Sequence, residues 1–533
     1  MRRVPYWMAL LATILIITAS LAGCGQQAVS PTHPDLYPVW AYGKSGFIDR
    51  DGQIIIPPTF ESASQFSDGL ALVSKNGRYG FIDPTGNLVI DYKRRNTGDF
   101  HEGLALISDP NQQYFINRQG NVAIKPSGDY FGDFNEGLAF FGLSGKYGYI
   151  NKSGKQVIKA QFESANKFSE SRALVKLNNK YGYIDHSGKL VIPPTFEEGT
   201  DFSEGLAAVK VAGKWGFINT DGKMVIKPQF YSISYNSFNS GLLDMKSKTG
   251  WGYIDKTGKF AIAPKYQSVQ PFKDGYGVVE TSKQRLVIDT KGKTLAAFPH
   301  EVEVSYENGL LRITQDMRET LKTLQGKTVW SQTSPLELGK GLSLVEKKYK
   351  FRRLLAYYPQ INGIKDAEIS QKINTWIKSQ FPMDLPDATT EVDVDYTVDY
   401  HRGNLLGVTI DNYMYSDGAA HGLTMRQSFL INLSSGRVYQ LQDLFKKDAD
   451  FTSAVNKIIK HDFATQDYGQ IENFVTIKPD DQYYWDNDGF VMYFQLYQFT
   501  CYAAGFPEFK IKFDDVKGLI DTNGELWREL NTK

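Results

Sequence analysis

The chain has 533 residues and a formal net charge of +1 at pH 7. No basic tract interrupts this balance, so nucleic-acid binding has no electrostatic support. Two cysteines, Cys24 and Cys501, exclude a disulfide-rich scaffold. The 31 Tyr and 33 Phe residues occur together with 48 Gly, and this combination of strand and turn residues predicts a mainly β fold.

The first 23 residues have the features of an export signal. Two arginines precede an apolar run, residues 8–19, that is too short for a normal membrane span. The tetrad Leu-Ala-Gly-Cys at residues 21–24 resembles the lipobox of bacterial lipoproteins. The resemblance implies cleavage before Cys24 and lipidation of its thiol, and several acyl chains on one cysteine anchor a protein stably. The alternative is an ordinary secretory signal cleaved after small residues.

A lipidated Cys24 leaves Cys501 without a disulfide partner. Cys501 lies in the apolar run 499–502, so we expect a buried, inert thiol rather than a nucleophile. Residues 24–37 are polar and contain two prolines, which indicates a tether. These features predict a lipid-anchored protein on the extracytoplasmic face of a bacterial cell membrane.

A short phrase, glycine–aromatic–isoleucine–aspartate or asparagine, recurs through residues 38–330. The step between copies is 34 residues, except for 36 between Gly216 and Gly252, and the two extra residues fall within 231–237. A ninth, decayed copy ends at Gly326. A fixed period in this range indicates a repeat array. The eight clearer copies begin at Gly46, Gly80, Tyr114, Gly148, Gly182, Gly216, Gly252 and Leu286.

Each copy contains three strand signals. The phrase itself alternates like a strand, and a glycine three residues after its Asp or Asn marks a hairpin turn. A second strand, often closed by proline, and a third phrase, Phe-x-Glu/Asp-Gly-Leu-Ala, complete the copy. The sequence therefore predicts a tandem array of three-stranded β repeats, either an open superhelix or a propeller-like ring.

Tryptophan precedes the repeat glycine at Trp215 and Trp251, and tyrosine takes its place in three other copies. With this register, the array resembles the WG-repeat (KWG-type) family, which is common among bacterial surface and secreted proteins. The resemblance implies architecture more than activity. We expect the periodic Phe, Ile and Leu side chains to form the stacked core. The alternative for Trp215 and Trp251 is that they line a ligand-binding groove.

The period stops after Gly326, and residues 340–533 form a second predicted domain. Helical spacing of apolar residues marks 369–377 and 451–459. Strands interrupted by two helices predict an α+β domain with an antiparallel sheet. The strand candidates are residues 392–400, 405–415, 424–432, 490–499 and 508–513.

Four phrases of this second region resemble the RsiV-like extracellular domain. That domain occurs in an anti-sigma factor that serves as a lysozyme receptor, and beside peptidoglycan deacetylase domains. The resemblance implies a ligand such as lysozyme or a cell-wall fragment. The four phrases occupy residues 357–361, 417–422, 435–445 and 497–505.

Tyrosines beside glycine turns are the candidate ligand-binding residues of this domain. Tyrosine supplies a large contact area at a low entropy cost, which suits protein or glycan recognition. Burial in the core is the alternative. His421, in a Gly-Ala-Ala-His-Gly loop, is the best titratable candidate, although a lone histidine between small residues is typical of a turn. The candidate residues are Tyr413, Tyr415, His421, Tyr497 and Tyr502.

The remaining polar motifs do not predict catalysis. Neither a Ser-His-Asp arrangement nor a His-Glu-x-x-His motif occurs, so we predict no catalytic residue, no cofactor and no metal. Residues 486–489, Asp-Asn-Asp-Gly, favour a hairpin turn over a calcium loop, because Tyr484 occupies the position of the first ligand. Asp393 and Asp395 alternate with apolar residues, which is typical of a solvated strand face.

The sequence favours a non-enzymatic cell-surface lipoprotein that binds a protein or glycan of the envelope. The repeats would then act as a scaffold or as a second binding surface. One alternative is a cell-wall-modifying enzyme, or its accessory subunit, in which His421 and nearby acids transfer protons. Another is a structural spacer, in which the array presents the C-terminal domain beyond the wall.

Overall fold

The chain folds mainly into β-strands, as its composition predicts. The predicted signal, Cys24 and the tether up to residue 35 lie outside the described residues. Within the described part, no helix is long and apolar enough to cross a membrane. The computed structural model describes residues 36–531 except 76, 95, 110–111, 235–236, 385–386, 466–473, 479–480 and 503–504.

Nine small antiparallel sheets, numbered 1 to 9 in chain order, are formed by the described residues between 37 and 331. Each sheet is a meander of three or four strands, because short turns join successive strand signals. Sheet 1 contains Tyr37–Ala41, Lys44–Ile48 and Ile54–Phe60. Sheet 2 contains Ser62–Ala63, Ala71–Lys75, Arg78–Ile82 and Leu88–Arg94. Sheet 3 contains Thr97–His101, Leu104–Asp109, Gln112–Asn117 and Val122–Ile124. Sheet 4 contains Tyr130–Phe131, Leu138–Leu143, Lys146–Asn151 and Gln156–Phe162. Sheet 5 contains Ser164–Ser169, Arg172–Leu177, Lys180–Ile184 and Leu190–Phe196. Sheet 6 contains Leu206–Val211, Lys214–Asn219 and Met224–Phe230. Sheet 7 contains Leu242–Ser247, Gly250–Asp255 and Phe260–Tyr266. Sheet 8 contains Ser268–Val269, Tyr276–Glu280, Gln284–Asp289 and Thr294–Pro299. Sheet 9 contains Glu303–Glu307, Leu310–Gln315, Arg318–Lys322 and Thr328–Ser331.

The Asp/Asn-x-x-Gly phrase forms the turn between the last two strands of a sheet, as predicted. In sheet 5, Gly188 donates its N–H to the carbonyl of Asp185 (2.9 Å) and has a φ of +83°, a left-handed conformation that glycine adopts without strain. The Asp185 carboxylate accepts the N–H groups of Ser187 and Lys189 (2.9 and 3.1 Å). The hydrogen bond from the Ser187 hydroxyl, together with these amides, lowers the pKa of Asp185.

The turn glycines also pack against the preceding sheet. A Cβ on Gly154 of sheet 4 would lie 2.6 Å from Cγ2 of Ile124 in sheet 3. A Cβ on Gly188 would lie 3.0 Å from Cγ2 of Ile158. The repeat glycine is therefore required for two reasons, its backbone conformation and the close approach of neighbouring sheets.

Replacing Gly154 with alanine should cost more stability than replacing Gly145 of the same sheet. Both glycines have left-handed backbones, with φ of +77° and +74°, so each alanine variant should lose about 1–2 kcal/mol to backbone strain. A Cβ at Gly145 meets nothing within 4 Å, whereas one at Gly154 collides with Ile124. Thermal unfolding of the two variants measures the difference, and equal losses would contradict a role for the contact between sheets.

Aromatic pairs fill the space between neighbouring sheets. In seven copies, the aromatic residue of the repeat phrase packs against the phenylalanine of the third phrase, with ring centroids 4.6–5.5 Å apart, a distance at which edge-to-face packing is favourable. Where the first ring is tyrosine, its buried hydroxyl donates to a backbone carbonyl, from Tyr149 to Asn166 (2.7 Å) and from Tyr183 to Thr200 (2.8 Å). The prediction that the periodic apolar residues form the core is confirmed.

A second contact links each sheet to the next through the Glu-Gly turn. Oε2 of Glu102 accepts the N–H of Gly137 (2.9 Å), and Glu170 accepts the N–H of Gly205 (2.9 Å). Lys152 adds an ion pair to Glu102 (3.0 Å). Burial alone would raise the pKa of Glu102, but Lys152 and the Gly137 amide lower it. The repeat spacing thus places carboxylate and amide partners in register along the array.

The array closes into a ring. Leu321 and Trp330 of sheet 9 share one buried cluster with Val39 and Ile48 of sheet 1. The hydroxyl of Tyr37 also donates to a backbone carbonyl of sheet 9's first turn (2.8 Å). Because each other neighbouring pair of sheets shares a buried cluster, the nine described sheets form a propeller-like ring and not an open superhelix.

Residues 336–530 form an α+β unit with a seven-stranded and a three-stranded sheet. Its neighbouring strands are antiparallel except Leu354–Asn362 and Thr390–Arg402, which are parallel because helix Ala367–Ser379 connects them. Both predicted helices are present. The strands are Leu336–Gly339, Leu342–Phe351, Leu354–Asn362, Thr390–Arg402, Leu405–Ser416, Leu423–Asn432 and Val438–Tyr439, then Gln482–Asp486, Gly489–Tyr493 and Glu508–Lys512. The helices are Ala367–Ser379, Leu441–Leu444, Phe451–Thr465, Phe513–Val516 and Glu525–Leu530.

The sequence predicts a strand over residues 490–499, but the strand ends at Tyr493, and the apolar segment 494–502 does not continue it. The preceding strand, Gly489–Tyr493, ends before it, and the side-chain amide of Gln495 exchanges two hydrogen bonds with the backbone of Arg426 (3.0 and 2.6 Å). The phenylalanines of the segment pack into the core, which explains its composition. Cys501 is exposed, so the prediction of a buried thiol is wrong, because the segment turns instead of lying flat in the sheet.

A buried ion network joins the ring to the C-terminal domain. Arg318 of sheet 9 donates to both oxygens of Glu346 (2.8 and 2.8 Å) and of Asp395 (3.0 and 2.7 Å). Its guanidinium carbon lies 3.6 Å from the ring centroid of Tyr357. Burial would lower the pKa of Arg318, but these hydrogen bonds raise it, so the guanidinium stays charged. Asp395, predicted on a solvated strand face, keeps 41% of its side chain exposed and also binds the ring through Arg318.

Candidate ligand-binding site

Four of the predicted site residues meet on one surface of the C-terminal domain. The ring of His421 stacks on Tyr502 (centroids 4.3 Å apart) and lies 6.3 Å from the ring of Tyr497. The Tyr497 and Tyr502 rings are 5.7 Å apart. Tyr413 covers Gly422 of the same loop, since a Cβ on that glycine would lie 2.3 Å from the Tyr413 ring. We refer to Tyr413, His421, Tyr497 and Tyr502 as the aromatic cluster.

The loop 417–422 holds His421 at the end of a long hairpin. It connects Leu405–Ser416 with Leu423–Asn432, whose continuous pairing fixes both ends of the loop. Asp417 forms a bidentate ion pair with Arg353 (2.7 and 2.7 Å), and the hydrogen bonds from that guanidinium lower the pKa of Asp417. The first residue of the loop is thus bound to the turn between strands Leu342–Phe351 and Leu354–Asn362.

Tyr415 lies outside the stacked rings. Its hydroxyl donates to the carbonyl of Ala419 (3.2 Å). The structure therefore gives Tyr415 a contact to the loop backbone, where it positions the segment that carries His421.

The hydrogen bonds of His421 fix its tautomer. Nδ1 lies 2.9 Å from the carbonyl oxygen of Gly422, and because a carbonyl only accepts, Nδ1 carries the proton. In the neutral ring Nε2 is then an acceptor, and the Tyr497 hydroxyl donates to it across 3.0 Å. The imidazole and the phenol consequently hold one another in a fixed orientation.

Tyr497 has a backbone conformation that is unusual for its side chain. Its φ is +66°, in the left-handed region, which costs a residue with a Cβ about 1–2 kcal/mol. The residue is also 54% exposed, so burial offsets little of that strain. This conformation holds the exposed Tyr497 side chain beside His421.

Three of the four residues in the aromatic cluster are exposed to solvent. His421 and Tyr497 are exposed, and Tyr413 is 36% exposed. Ring faces stack against the C–H face of a sugar or against apolar protein side chains, while hydroxyl edges exchange hydrogen bonds. The arrangement suits recognition of an amphipathic surface.

The described residues form no cluster of side chains that is suited to bind a metal ion. Among residues 36–531, less the masked positions, no group of three or more His, Cys, Asp or Glu side chains is placed to hold a metal ion. Asp486 and Asp488 both pair with Lys510 (2.7 and 2.5 Å). Residues 486–489 join two antiparallel strands, so the hairpin prediction is confirmed.

The two tryptophan candidates lie in the ring, away from the aromatic cluster. Trp215 is 2% exposed in the core between sheets 6 and 7. Trp251 packs against the core between sheets 7 and 8. The ammonium groups of Lys210 and Lys246 each lie 5.7 Å from one of these rings. Both tryptophans are thus part of the packing between sheets.

A cavity between the ring and the C-terminal domain is not predicted by any sequence motif. Its volume is about 270 Å³, and its walls include Lys44 and Glu61 of the ring and Asp399, His401 and Trp485 of the domain. Oδ2 of Asp399 is buried without a hydrogen-bond partner among the described residues. Burial raises the pKa of Asp399 to about 6 and lowers the pKa of His401.

A β-bulge explains why sequence reasoning missed Asp399. The pairing register shifts between Val398 and Tyr400, and a bulge of this kind redirects a side chain out of the regular alternation. The alternating pattern of residues 392–400 predicts one wet strand face, and it carries no signal for the shift.

Family comparisons match both halves of the chain. Seven segments between residues 46 and 282 match the family model "WG containing repeat". Residues 442–514 match the model "Protein of unknown function (DUF3298)".

One curated relative and two solved structures are similar to parts of the chain. Peptidoglycan-N-acetylmuramic acid deacetylase PdaC from Bacillus subtilis (strain 168) is 25% identical over 137 residues, which cover 24% of this chain and 29% of PdaC. The chain therefore spans less than a third of the length of that relative. DUF3298 family proteins from Bacteroides fragilis and Pseudomonas aeruginosa are 16% and 13% identical, with TM-scores of 0.31 and 0.27, and each match covers 36% of this chain and 97% of the solved one. The chain thus carries WG containing repeats across residues 46–282 and a DUF3298 domain in its C-terminal part.

Proposed function

We propose that this protein is a non-enzymatic binding protein of the bacterial cell surface, held at the membrane by a lipid on Cys24. Its aromatic cluster recognises a protein such as lysozyme or a glycan of the cell wall. The observation that carries the proposal is the stacking of the exposed His421 ring with Tyr497 and Tyr502. Rings that are already stacked and hydrogen-bonded lose little entropy when a ligand binds.

The similarity to PdaC supports a ligand from the cell wall. PdaC is named as a peptidoglycan-N-acetylmuramic acid deacetylase. We propose that the shared segment of 137 residues contributes recognition of the envelope in this chain. The ring of sheets 1 to 9 then acts as the scaffold that carries the C-terminal domain.

Binding of the mature chain to lysozyme and to soluble peptidoglycan fragments, measured by biolayer interferometry, tests this proposal. We expect Tyr497→Ala and Tyr502→Ala each to weaken binding about tenfold, because aromatic hot-spot residues contribute more than about 1 kcal/mol each. Tyr231→Ala is the matched control, since that tyrosine of the ring is 80% exposed and should be dispensable. If the unmodified chain binds neither ligand, the proposal fails.

A cell-wall-modifying enzyme, or its accessory subunit, is the second candidate. The observation that favours it is the hydrogen bond of 3.0 Å between the Tyr497 hydroxyl and Nε2 of His421, because a neutral Nε2 can also accept a proton from a substrate. Purified peptidoglycan is incubated with the chain and with His421→Ala, and released products are identified by mass spectrometry. Turnover that disappears in His421→Ala would replace the binding proposal, and absence of turnover in the unmodified chain would remove this candidate.

A further inference from the structure

A polar cavity of about 440 Å³ lies between sheets 8 and 9 of the ring. Its volume falls in the range of about 300–1,000 Å³ that is typical of small-molecule sites. The cavity belongs to the repeat array, whereas the aromatic cluster belongs to the C-terminal domain. Its polar lining includes Ser268, Glu280, Arg285, Ser305, Arg312 and Thr314.

The two sheets directly before this cavity share a cross-strand pair of lysine and tryptophan. In sheet 6, Trp215 pairs with Lys210, and in sheet 7, Trp251 pairs with Lys246. Each ammonium lies 5.7 Å from the centre of its ring. The indole at this position fills the space beside the strands.

Sheets 8 and 9 replace this pair with smaller or charged residues. The equivalent pair is Arg285 with Glu280 in sheet 8 and Glu319 with Thr314 in sheet 9. Three of these four residues line the cavity. The cavity thus lies where two successive sheets lack the aromatic side chain at this position.

The guanidinium groups around the cavity already have carboxylate partners, and Glu303 adds a further carboxylate to the wall. Nε of Arg285 lies 3.7 Å from the carboxylate of Glu280, which also accepts the Ser268 hydroxyl (2.5 Å). Arg312 pairs with Glu319. Because carboxylates compensate both guanidinium groups, a free anion would gain little by binding here.

Neutral hydrogen-bonding groups complete the wall. The hydroxyls of Ser305 and Thr314 have no hydrogen-bond partner among the described residues. Gln270 donates its Nε2 to the carbonyl of Val304 (2.9 Å), which leaves its Oε1 as an acceptor. The cavity therefore offers donors and acceptors together, and neither of its guanidinium groups is left unpaired to attract an anion.

We propose that this cavity binds a neutral, hydroxyl-rich ligand, one or two saccharide units of a glycan. Sugar hydroxyls both donate and accept hydrogen bonds, so they match a wall that combines paired charges, an amide and free hydroxyls. The site is independent of the aromatic cluster.

Isothermal titration calorimetry of the full mature chain tests the proposal, with N-acetylglucosamine, its β-1,4-linked dimer and, separately, inorganic phosphate as probes. We expect one of the sugar probes to bind and phosphate not to bind. The double variant Glu280→Lys with Arg285→Trp restores the pair of sheet 7 and fills the cavity. It should weaken sugar binding by at least about tenfold. Lys246→Glu makes the reverse charge change at the equivalent position of sheet 7 and should leave the sugar affinity unchanged.

A smaller variant keeps the test decisive if the double exchange fails to fold. Ser305→Ala with Thr314→Val removes only two hydroxyls and should also weaken sugar binding about tenfold. Unchanged sugar binding in this variant, or binding of phosphate without sugar, would overturn the proposal. Loss of the sugar affinity in Tyr497→Ala would place the sugar at the aromatic cluster and would overturn it as well.

Discussion

Replacing Arg318 with methionine is expected to lower the free energy of unfolding by about 3–5 kcal/mol, the typical cost of removing one partner from a buried ion pair. The side chains of Arg318 and Glu346 are 7% and 5% exposed. Methionine fills most of the same volume, but it leaves the Glu346 carboxylate buried without its counter-charge and its two hydrogen bonds. Asp395, 41% exposed, can regain water and should contribute less to the loss. Guanidinium denaturation of the mature chain measures the effect.

Arg353→Met is the matched control for this prediction. Arg353 also binds its carboxylate partner, Asp417, in a bidentate manner, but the two side chains are 36% and 57% exposed. An ion pair that water can reach contributes about 0–1 kcal/mol. Adding Glu346→Leu to Arg318→Met should recover much of the lost stability, because it removes the stranded charge. Equal losses in the two single variants, or no recovery in the double variant, would contradict the role assigned to Arg318.

Replacing Asp399 with asparagine is expected to stabilise the protein at neutral pH. Burial raises the pKa of Asp399 from 3.8 to about 6, so the folded state holds this proton at pH values where the unfolded state has released it. Stability therefore falls as the pH rises from about 4 to about 6, by up to about 3 kcal/mol, and stays lower above that range. Asparagine keeps the shape without the charge and should remove this fall.

Denaturation curves at several pH values between 4 and 8 test the prediction for Asp399. The charged groups that face Asp399 are Lys44, Arg426 and Glu508, so the comparison is made between the wild type and Asp399→Asn at each pH, where these groups are common to both. Asp387→Asn serves as the control, because hydrogen bonds from Thr389 lower the pKa of Asp387 and its removal should give no gain above pH 6. A constant difference in stability across the whole pH range would contradict a raised pKa at Asp399.

The sequence predicts the sheets of the array because each turn has its own chemical signature. The glycine of Asp185–Gly188 needs a left-handed backbone, and few residues other than glycine adopt it easily. The closure of the array was not predictable in the same way. It depends on the angle between sheets and on Trp330 and Val39 meeting across nearly the whole array, and the repeat period is the same for an open and a closed stack.

In the candidate site, too, local sequence motifs predict some of the residues, whereas others depend on contacts that are distant in the sequence. The glycine turns near Tyr497 and His421 predict exposed side chains in loops, and the structure brings the two residues within hydrogen-bond distance. The sequence does not predict the roles of Asp399 and Arg318. Asp399 depends on a bulge, and Arg318 depends on partners in strands far away in the chain, so no local pattern identifies either residue.

Ring closure also determines how far the array can place the C-terminal domain from the start of the ring. An open stack grows longer with each added copy, but a closed ring returns the chain to the point where it started, so Tyr37 of sheet 1 lies beside sheet 9. The C-terminal domain leaves the ring at that same place, with the Val398 amide bonded to the Tyr42 carbonyl (3.0 Å). The residues of the array therefore widen the protein but add almost nothing to the distance between the start of the ring and the C-terminal domain. If Cys24 carries the proposed lipid, we expect the number of residues between Cys24 and the ring, and not the number of repeats, to limit the distance of the C-terminal domain from the membrane.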